Sequence, residues 1–262
     1  MSRIETENLV LVRGGQRVLD GISLRVDNGE LLGLVGPNGA GKTSLLKCLA
    51  CLLPCAGDIR LDGETLTALP PRERATRIAY LGQDGRLGWA LTLADFVALG
   101  RLPHRPRWGA WRLRASDEAA IDEAIAAMRI APLRSRRVDR LSGGECARAR
   151  LARALAVGAA VLLADEPVAA LDPYHQLNVM ELLAQRCAAG ATVLVALHDL
   201  TLASRFCHRV LLLDRGRAVA HGEPRHVLTP RNLQRIYHIS AMTGEHCNEH
   251  YVMPWRCHPD PD

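Results

Sequence analysis

The stretch Leu31–Ser44, LLGLVGPNGAGKTS, decides how this chain folds. A short apolar run ends in a glycine-rich turn, and a helical pattern opens at Lys42, so the pattern reads strand, loop, helix. Gly36, Gly39 and Gly41 leave room for backbone N–H groups to wrap a triphosphate at the helix N-terminus. Gly36, Pro37, Asn38, Gly39, Ala40, Gly41, Lys42, Thr43 and Ser44 are therefore the candidate nucleotide-binding residues. Lys42 suits the β and γ phosphates, and the Thr43 hydroxyl suits Mg2+, which takes oxygen ligands shared with phosphates. Only two lysines occur, Lys42 and Lys47, against an arginine-rich background, so a lysine at 42 asks for a chemical reason.

Three further apolar runs, Val161–Ala164, Thr192–Leu197 and Val210–Leu213, are short and nearly unbroken. Such runs read as strands buried on both faces, hence a parallel sheet. Helical patterns over Lys42–Leu53, Glu145–Ala156 and Gln176–Ala188 alternate with them, which gives an α/β core. The run VLLADE delivers Asp165 and Glu166 to the carboxyl end of the sheet, where open α/β folds bind ligands. Asp165 suits Mg2+, and Glu166 suits the water that attacks the γ phosphate. The run TVLVAL brings His198 to the same edge, where an imidazole can hydrogen-bond a γ-phosphate oxygen; a lone histidine there is otherwise structural.

The 262 residues accommodate one large core with an inserted subdomain. The longest apolar run, Ala154–Ala164, falls well short of the roughly 18 residues that span a bilayer, and MSRIETENLV lacks the layout of a secretory signal. The eight cysteines are expected as reduced thiols rather than a disulfide framework. A net charge of +5 spread along the chain gives no nucleic-acid footprint. Between Asp84 and Arg140 the strand-helix rhythm breaks; a helix opening at N-cap Ser116 is expected, with Ala120, Ile121, Ala124, Ile125 and Met128 on one face. The expected organisation is a nucleotide-binding core of residues 1–83 and 151–262, interrupted by a helical subdomain at 84–150.

At Leu141–Glu145 stands LSGGE, small residues opening a helix, which makes a second anion site. One triphosphate needs one cradle, so the second makes sense for a nucleotide held by a partner. GPNGAGKT, LSGGE and VLLADEP in this order, with Gln83 before the insert and His198 after it, resemble the ABC transporter ATPase family over residues 3–240. The resemblance implies ATP hydrolysis with Mg2+ by two copies that sandwich two ATP molecules. Each nucleotide is then held by Gly36–Thr43 of one copy and Ser142, Gly143 and Gly144 of the other. It implies that Gln83 senses the γ phosphate and Mg2+, and that Asp172 lines the dimer interface. It also implies a peripheral place on the inner membrane face, bound to permease subunits and served indirectly by a substrate-binding protein. FVALGRLPHR at 96–105, LDPYHQL at 171–177 and GEPRHVLTPRNLQRIY at 222–237 resemble the importer branch for ferric siderophores, haem and cobalamin, with siderophore iron placed first. Import of another cargo such as molybdate, or a soluble ABC ATPase outside transport, is the alternative.

The sequence departs from the family pattern at Arg13, where an aromatic residue usually stacks on adenine; a guanidinium stacks on a base too. Cys146 and Ala147 stand where bulky polar residues are common, and Val168 replaces the usual hydroxyl residue. Cys48, Cys51 and Cys55 share a helical face and read as core packing rather than a cluster site. His246, Cys247, His250, Cys257 and His258 have the residue types of a soft-metal site, set against the mobility usual in chain termini. Trp89, Trp108 and Trp111 in the insert are expected to face the permease rather than a base or lipid, or to be merely structural.

Overall fold

The computed structural model describes residues 2–83, 90–105, 113–247 and 249–258. In chain order the first elements are β1 (Ser2–Arg13), β2 (Gln16–Asp27), β3 (Leu31–Val35), α1 (Lys42–Leu49), β4 (Ala56–Leu61) and β5 (Glu64–Thr65). Then come α2 (Pro71–Arg77), β6 (Ile78–Leu81), α3 (Leu93–Ala98), α4 (Ala115–Ala127), α5 (Gly143–Ala156), β7 (Val161–Asp165) and α6 (Pro173–Ala188). The chain closes with β8 (Thr192–Ala196), α7 (Leu200–Phe206), β9 (Arg209–Asp214), β10 (Arg217–Gly222), α8 (Pro224–Val227), α9 (Pro230–Tyr237), β11 (Ile239–His246) and β12 (Glu249–Cys257). It divides into two compact units, residues 1–68 with 183–262 and residues 69–182. The expected limits of the helical insert, 84 and 150, both fall inside the second.

The first unit holds an antiparallel sheet in the order β2-β1-β4-β5. Buried and exposed residues alternate along β2, as a sheet with one covered face requires. Gly14 and Gly15, at φ 56° and 79°, make the two-residue turn whose left-handed backbone matches strand twist. The same unit holds neighbouring strands in the order β10-β9-β3-β8, with β3 parallel to both β8 and β9. All five residues of β3 and of β8 are buried, which is why each reads as an unbroken apolar run.

Helix α1 ends at Leu49, not at the expected Leu53. Cys51 enters the left-handed region at φ 53° and the Leu52 amide donates to the Lys47 carbonyl at 2.8 Å, a backbone reversal that stops the helix. The C-terminal stretch is not a loose tail. Strands β11 and β12 pair antiparallel, and the Thr201 and Ser204 hydroxyls of α7 donate to the carbonyls of Val252 and His250 at 2.7 and 3.1 Å.

The second unit pairs β6 with β7 in parallel and packs α3, α4 and α5 on one another. A Cβ on Gly100 would lie 2.3 Å from the Arg153 carbonyl oxygen, so only glycine allows the chain to cross α5 there. The neighbouring Arg101 donates to Asp117 at 2.8 Å and to the carbonyls of Ala156 and Val157 at 2.8 and 3.0 Å, tying α4 to the end of α5. The phrase GRLPH is thus the clasp of this helical layer. Helix α4 opens at Ala115, because the Asp117 carboxylate accepts the Arg114 amide at 3.1 Å, and Ser116 lies inside the helix rather than capping it. Ile121, Ala124, Ile125 and Met128 are buried as expected, while Ala120 is half-buried. Trp89, Trp108 and Trp111 lie outside the described residues.

Candidate active site

In the first unit the loop after β3 is built around Gly36. At φ 152°, a Cβ there would sit 2.2 Å from the Leu213 carbonyl oxygen, so β9 presses directly on the loop. Gly41, at φ 105°, caps α1 in a left-handed conformation, and a Cβ would meet Leu19 Cδ2 at 2.8 Å. The turn after β9 adds a second prop: the Gly216 amide donates to the Ala40 carbonyl at 3.1 Å. Gly39, at φ 80°, faces open space.

Helix α1 has no side-chain cap and no acidic residue in its first turn, so its amides and positive dipole end remain available to an anion. Lys42 is 6% exposed and curls over the loop, its Nζ donating to the carbonyls of Gly36 at 2.6 Å and Pro37 at 3.1 Å. Those carbonyl contacts hold the ammonium over the loop. His198 is exposed at the carboxyl end of β8, beside the end of β3 that feeds the loop. Arg13 is exposed opposite Gln16, at the tip of the hairpin whose Val18 and Leu19 back Gly41.

In the second unit, β6 and β7 run parallel with Leu81 opposite Ala164, so Gln83 and the Asp165–Glu166 pair leave the same sheet edge. Asp165 is buried at the strand end. Glu166 adopts φ 52°, a left-handed backbone that costs a non-glycine residue energy and tends to persist at functional positions. Asp172 caps α6, its Oδ1 accepting the His175 amide at 3.0 Å ahead of Pro173 at the first helical position.

LSGGE folds as a capping box on α5. The Glu145 amide donates to Ser142 Oγ at 3.3 Å, and the Ser142 amide donates to Glu145 Oε2 at 2.7 Å. The Ser142 backbone N–H, more than its hydroxyl or Arg136, holds the Glu145 carboxyl below its ordinary range against the opposing effect of burial. Ser142 and Gly143 are exposed, and a Cβ on Gly143 would meet nothing within 4 Å. Ala147 and Val168 are buried, which accounts for small or apolar side chains at both positions. Cys146 Sγ lies 3.7 Å from the Leu141 carbonyl oxygen, a buttress behind the turn.

Two supports of the loop escaped the motif reading. One is Gly216. The other is Tyr237, whose hydroxyl is buried beside the Gly36 backbone; burial raises its pKa, making it a weaker acid, despite the opposing Gly36 amide. Both sit in short phrases far along the chain, and Tyr237 closes the GEPRHVLTPRNLQRIY run. Among the described residues no three His, Cys, Asp or Glu side chains group as metal ligands, so the C-terminal histidines and cysteines form no such set there. No described helix is long and apolar enough to cross a membrane.

The family model for ABC transporters matches residues 19–169. The chain is 43% identical over 262 residues to the hemin import ATP-binding protein HmuV of Pseudomonas entomophila, covering 98% of each. It is 36% identical to the ferric enterobactin transport ATP-binding protein FepC of Escherichia coli K12, over 92% of this chain and 89% of that one. Among solved structures, a dimeric post-hydrolysis ATP-binding cassette with ADP and phosphate bound superposes with TM-score 0.74 at 27% identity, over 85% of this chain and 99% of the other.

Proposed function

Because this chain belongs to the ABC transporter family as an ATP-binding subunit that hydrolyses ATP, we propose that it energises uptake of an iron complex, haem before a ferric siderophore. The observation that carries this reading is similarity from end to end to ATP-binding proteins named for hemin and ferric enterobactin import.

The residues take the following roles in this proposal. Gly36–Ser44 wrap the triphosphate with backbone amides, and Lys42 offsets charge on the β and γ phosphates. Arg13 stacks on the base. Glu166 accepts the proton of the attacking water, and His198 and Gln83 orient that water and the γ phosphate. Thr43, Gln83 and Asp165 all present oxygen, a donor set that suits Mg2+, and the ion would neutralise charge developing on the transferred phosphoryl group.

Ser142, Gly143 and Gly144 would serve the nucleotide of a second copy, with Asp172 along the interface of the homodimer. Exposure of Ser142 and Gly143 supports this, since among the described residues nothing lies within 4 Å of a Cβ built on Gly143. Residues 84–150 are assigned to permease contact, which puts the protein on the inner face of the membrane without crossing it, supplied indirectly by a substrate-binding protein.

The test is uptake of labelled haem, ferric siderophore and cobalamin in cells lacking the protein, restored with wild type or Lys42→Ala. Wild type alone should restore haem uptake. Restoration of siderophore uptake in its place reassigns the cargo, and restoration by Lys42→Ala removes ATP hydrolysis as the driver. In vitro, Glu166→Gln should lower turnover roughly 100-fold or more and hold an ATP-bound dimer on size-exclusion chromatography.

A further inference from the structure

The C-terminal end of α4 touches both the helix that follows LSGGE and the helix that Asp172 caps. Helix α4 stops in a double hydrogen-bonded reversal: the Ile130 amide donates to the Ile125 carbonyl at 3.2 Å and the Arg129 amide to the Ala126 carbonyl at 2.9 Å. Such an ending puts one residue, here Arg129 at φ 54°, in the left-handed region, a position that glycine takes without strain. The arginine that stands there instead sends its guanidinium over the Tyr174 ring, 5.6 Å from the ring centre, and its Nη1 donates to the Tyr174 hydroxyl. Tyr174 is 57% exposed and lies in the first turn of α6, just beyond Asp172. One residue before Arg129, the Met128 carbonyl accepts Nη1 of Arg148, from α5, at 3.4 Å. The LSGGE turn in its own right rests on the loop that leads to Asp172. A Cβ on Gly144 would lie 3.6 Å from the Ala170 carbonyl oxygen and 3.7 Å from Leu171 Cδ2.

We propose that Arg129 and Tyr174 are positioning residues for ATP hydrolysis: they clamp the start of α6 to the end of α4, so that Asp172 and the Ser142–Gly144 turn face a second copy in one fixed register. The inference rests on the reading in which those two turns meet a second copy. Core packing does not account for the pair, since Arg129 is exposed and Tyr174 largely so. An exposed contact of this kind adds little to stability. What it does supply is direction, because a guanidinium held by a constrained backbone fixes where the ring beneath it sits. With the clamp cut, the first turn of α6 keeps its Asp172 cap and the bond from Gln176 Nε2 to the Val168 carbonyl at 3.2 Å, so the chain stays folded but loses this tie to α4. A turn displaced by a fraction of an ångström at a shared active site slows the reaction without touching the nucleotide loop, Gly36–Ser44, which belongs to the first unit.

The experiment measures ATP turnover, equilibrium binding of labelled ATP and melting temperature for the full-length protein, Arg129→Ala, Tyr174→Ala, the double variant and Arg129→Lys. Each alanine variant should turn over roughly 5- to 10-fold more slowly, with no further loss in the double variant, since both act through one contact. The ATP dissociation constant should stay within about 2-fold, and the melting temperature within about 3 °C. Arg129→Lys keeps a cation over the ring and should recover most of the turnover. Unchanged turnover in either alanine variant, or losses that multiply in the double variant, overturns the proposal. A loss that follows the melting temperature and is not recovered by Arg129→Lys makes the pair merely structural and overturns it as well. Size-exclusion chromatography with ATP separates this inference from the reading it rests on. If Glu166→Gln forms a dimer and adding Arg129→Ala leaves the ATP requirement for that dimer unchanged, this inference alone fails; if Glu166→Gln itself stays monomeric, the two-copy reading fails and takes this one with it.

Discussion

The loop at Gly36–Thr43 and the turn at Leu141–Glu145 both open helices with glycines, yet they are built on opposite terms. In the first, each glycine answers to its own chain: Gly36 to the Leu213 carbonyl, Gly41 to Leu19 and the Val18 carbonyl, Gly39 to a left-handed backbone. The helix it opens has no side-chain cap. In the second, neither a positive φ nor a neighbour requires Gly143, and the helix already carries a complete Ser142–Glu145 cap. A glycine inside a helix costs about 1 kcal/mol relative to alanine, and among the described residues no contact asks for one at 143. The first region is thus organised by intrachain packing, whereas the second is a finished, exposed helix end.

Substituting one glycine in each region gives the sharpest contrast. Gly36→Ala drives a methyl into the Leu213 carbonyl and should destabilise the protein by about 3 kcal/mol, seen as a clear fall in melting temperature with loss of ATP binding. Gly143→Ala should leave the melting temperature unchanged or raised, while ATP turnover falls roughly 10- to 100-fold. Unaltered turnover in Gly143→Ala would erase the distinction, because the second turn would then be only a helix start.

Ser142→Ala separates the two duties of that turn. Loss of the cap should cost about 1 kcal/mol of stability by thermal or urea unfolding. A drop in turnover beyond that of an equally destabilised control variant would assign the hydroxyl to the nucleotide as well.

The smallest effect concerns Glu145. Its carboxyl is held below the ordinary range mainly by the Ser142 backbone N–H, so its ionised form adds stability above the unfolded carboxylate value of about 4.3. That contribution is lost as pH falls through the lowered folded value. The melting-temperature gap between wild type and Glu145→Gln should be full at pH 6 and close below about pH 4; a gap independent of pH would mean that charge plays no part in the cap.

The nucleotide loop and the four buried strands were legible in the sequence because each is contiguous: a strand covered on both faces must be apolar throughout, and a phosphate loop must gather its glycines within a few residues. The antiparallel β1–β2 pair and the β11–β12 hairpin were not identified. Asn8 enters the left-handed region at φ 49° and the β1 register slips between Thr6 and Leu9, which breaks the alternation that would have marked a long strand. The hairpin mixes histidine, cysteine and glutamate into both strands, and the same residues suggested metal chemistry.

The sequence by itself determined the chemistry available, namely a lysine, a glutamate, a histidine and a serine–glycine turn in an order that a single ATPase family uses. Only the tertiary structure decided what stands behind those residues: the Leu213 carbonyl and Tyr237 hydroxyl against Gly36, Gly216 on Ala40, the left-handed backbone of Glu166, and the left-handed Cys51 that ends α1. The reason is physical. Local periodicity reports what a residue needs from solvent and from its immediate neighbours, whereas a backbone pressed against a loop from nearly two hundred residues away leaves no local pattern, and is fixed only when the strands and helices pack.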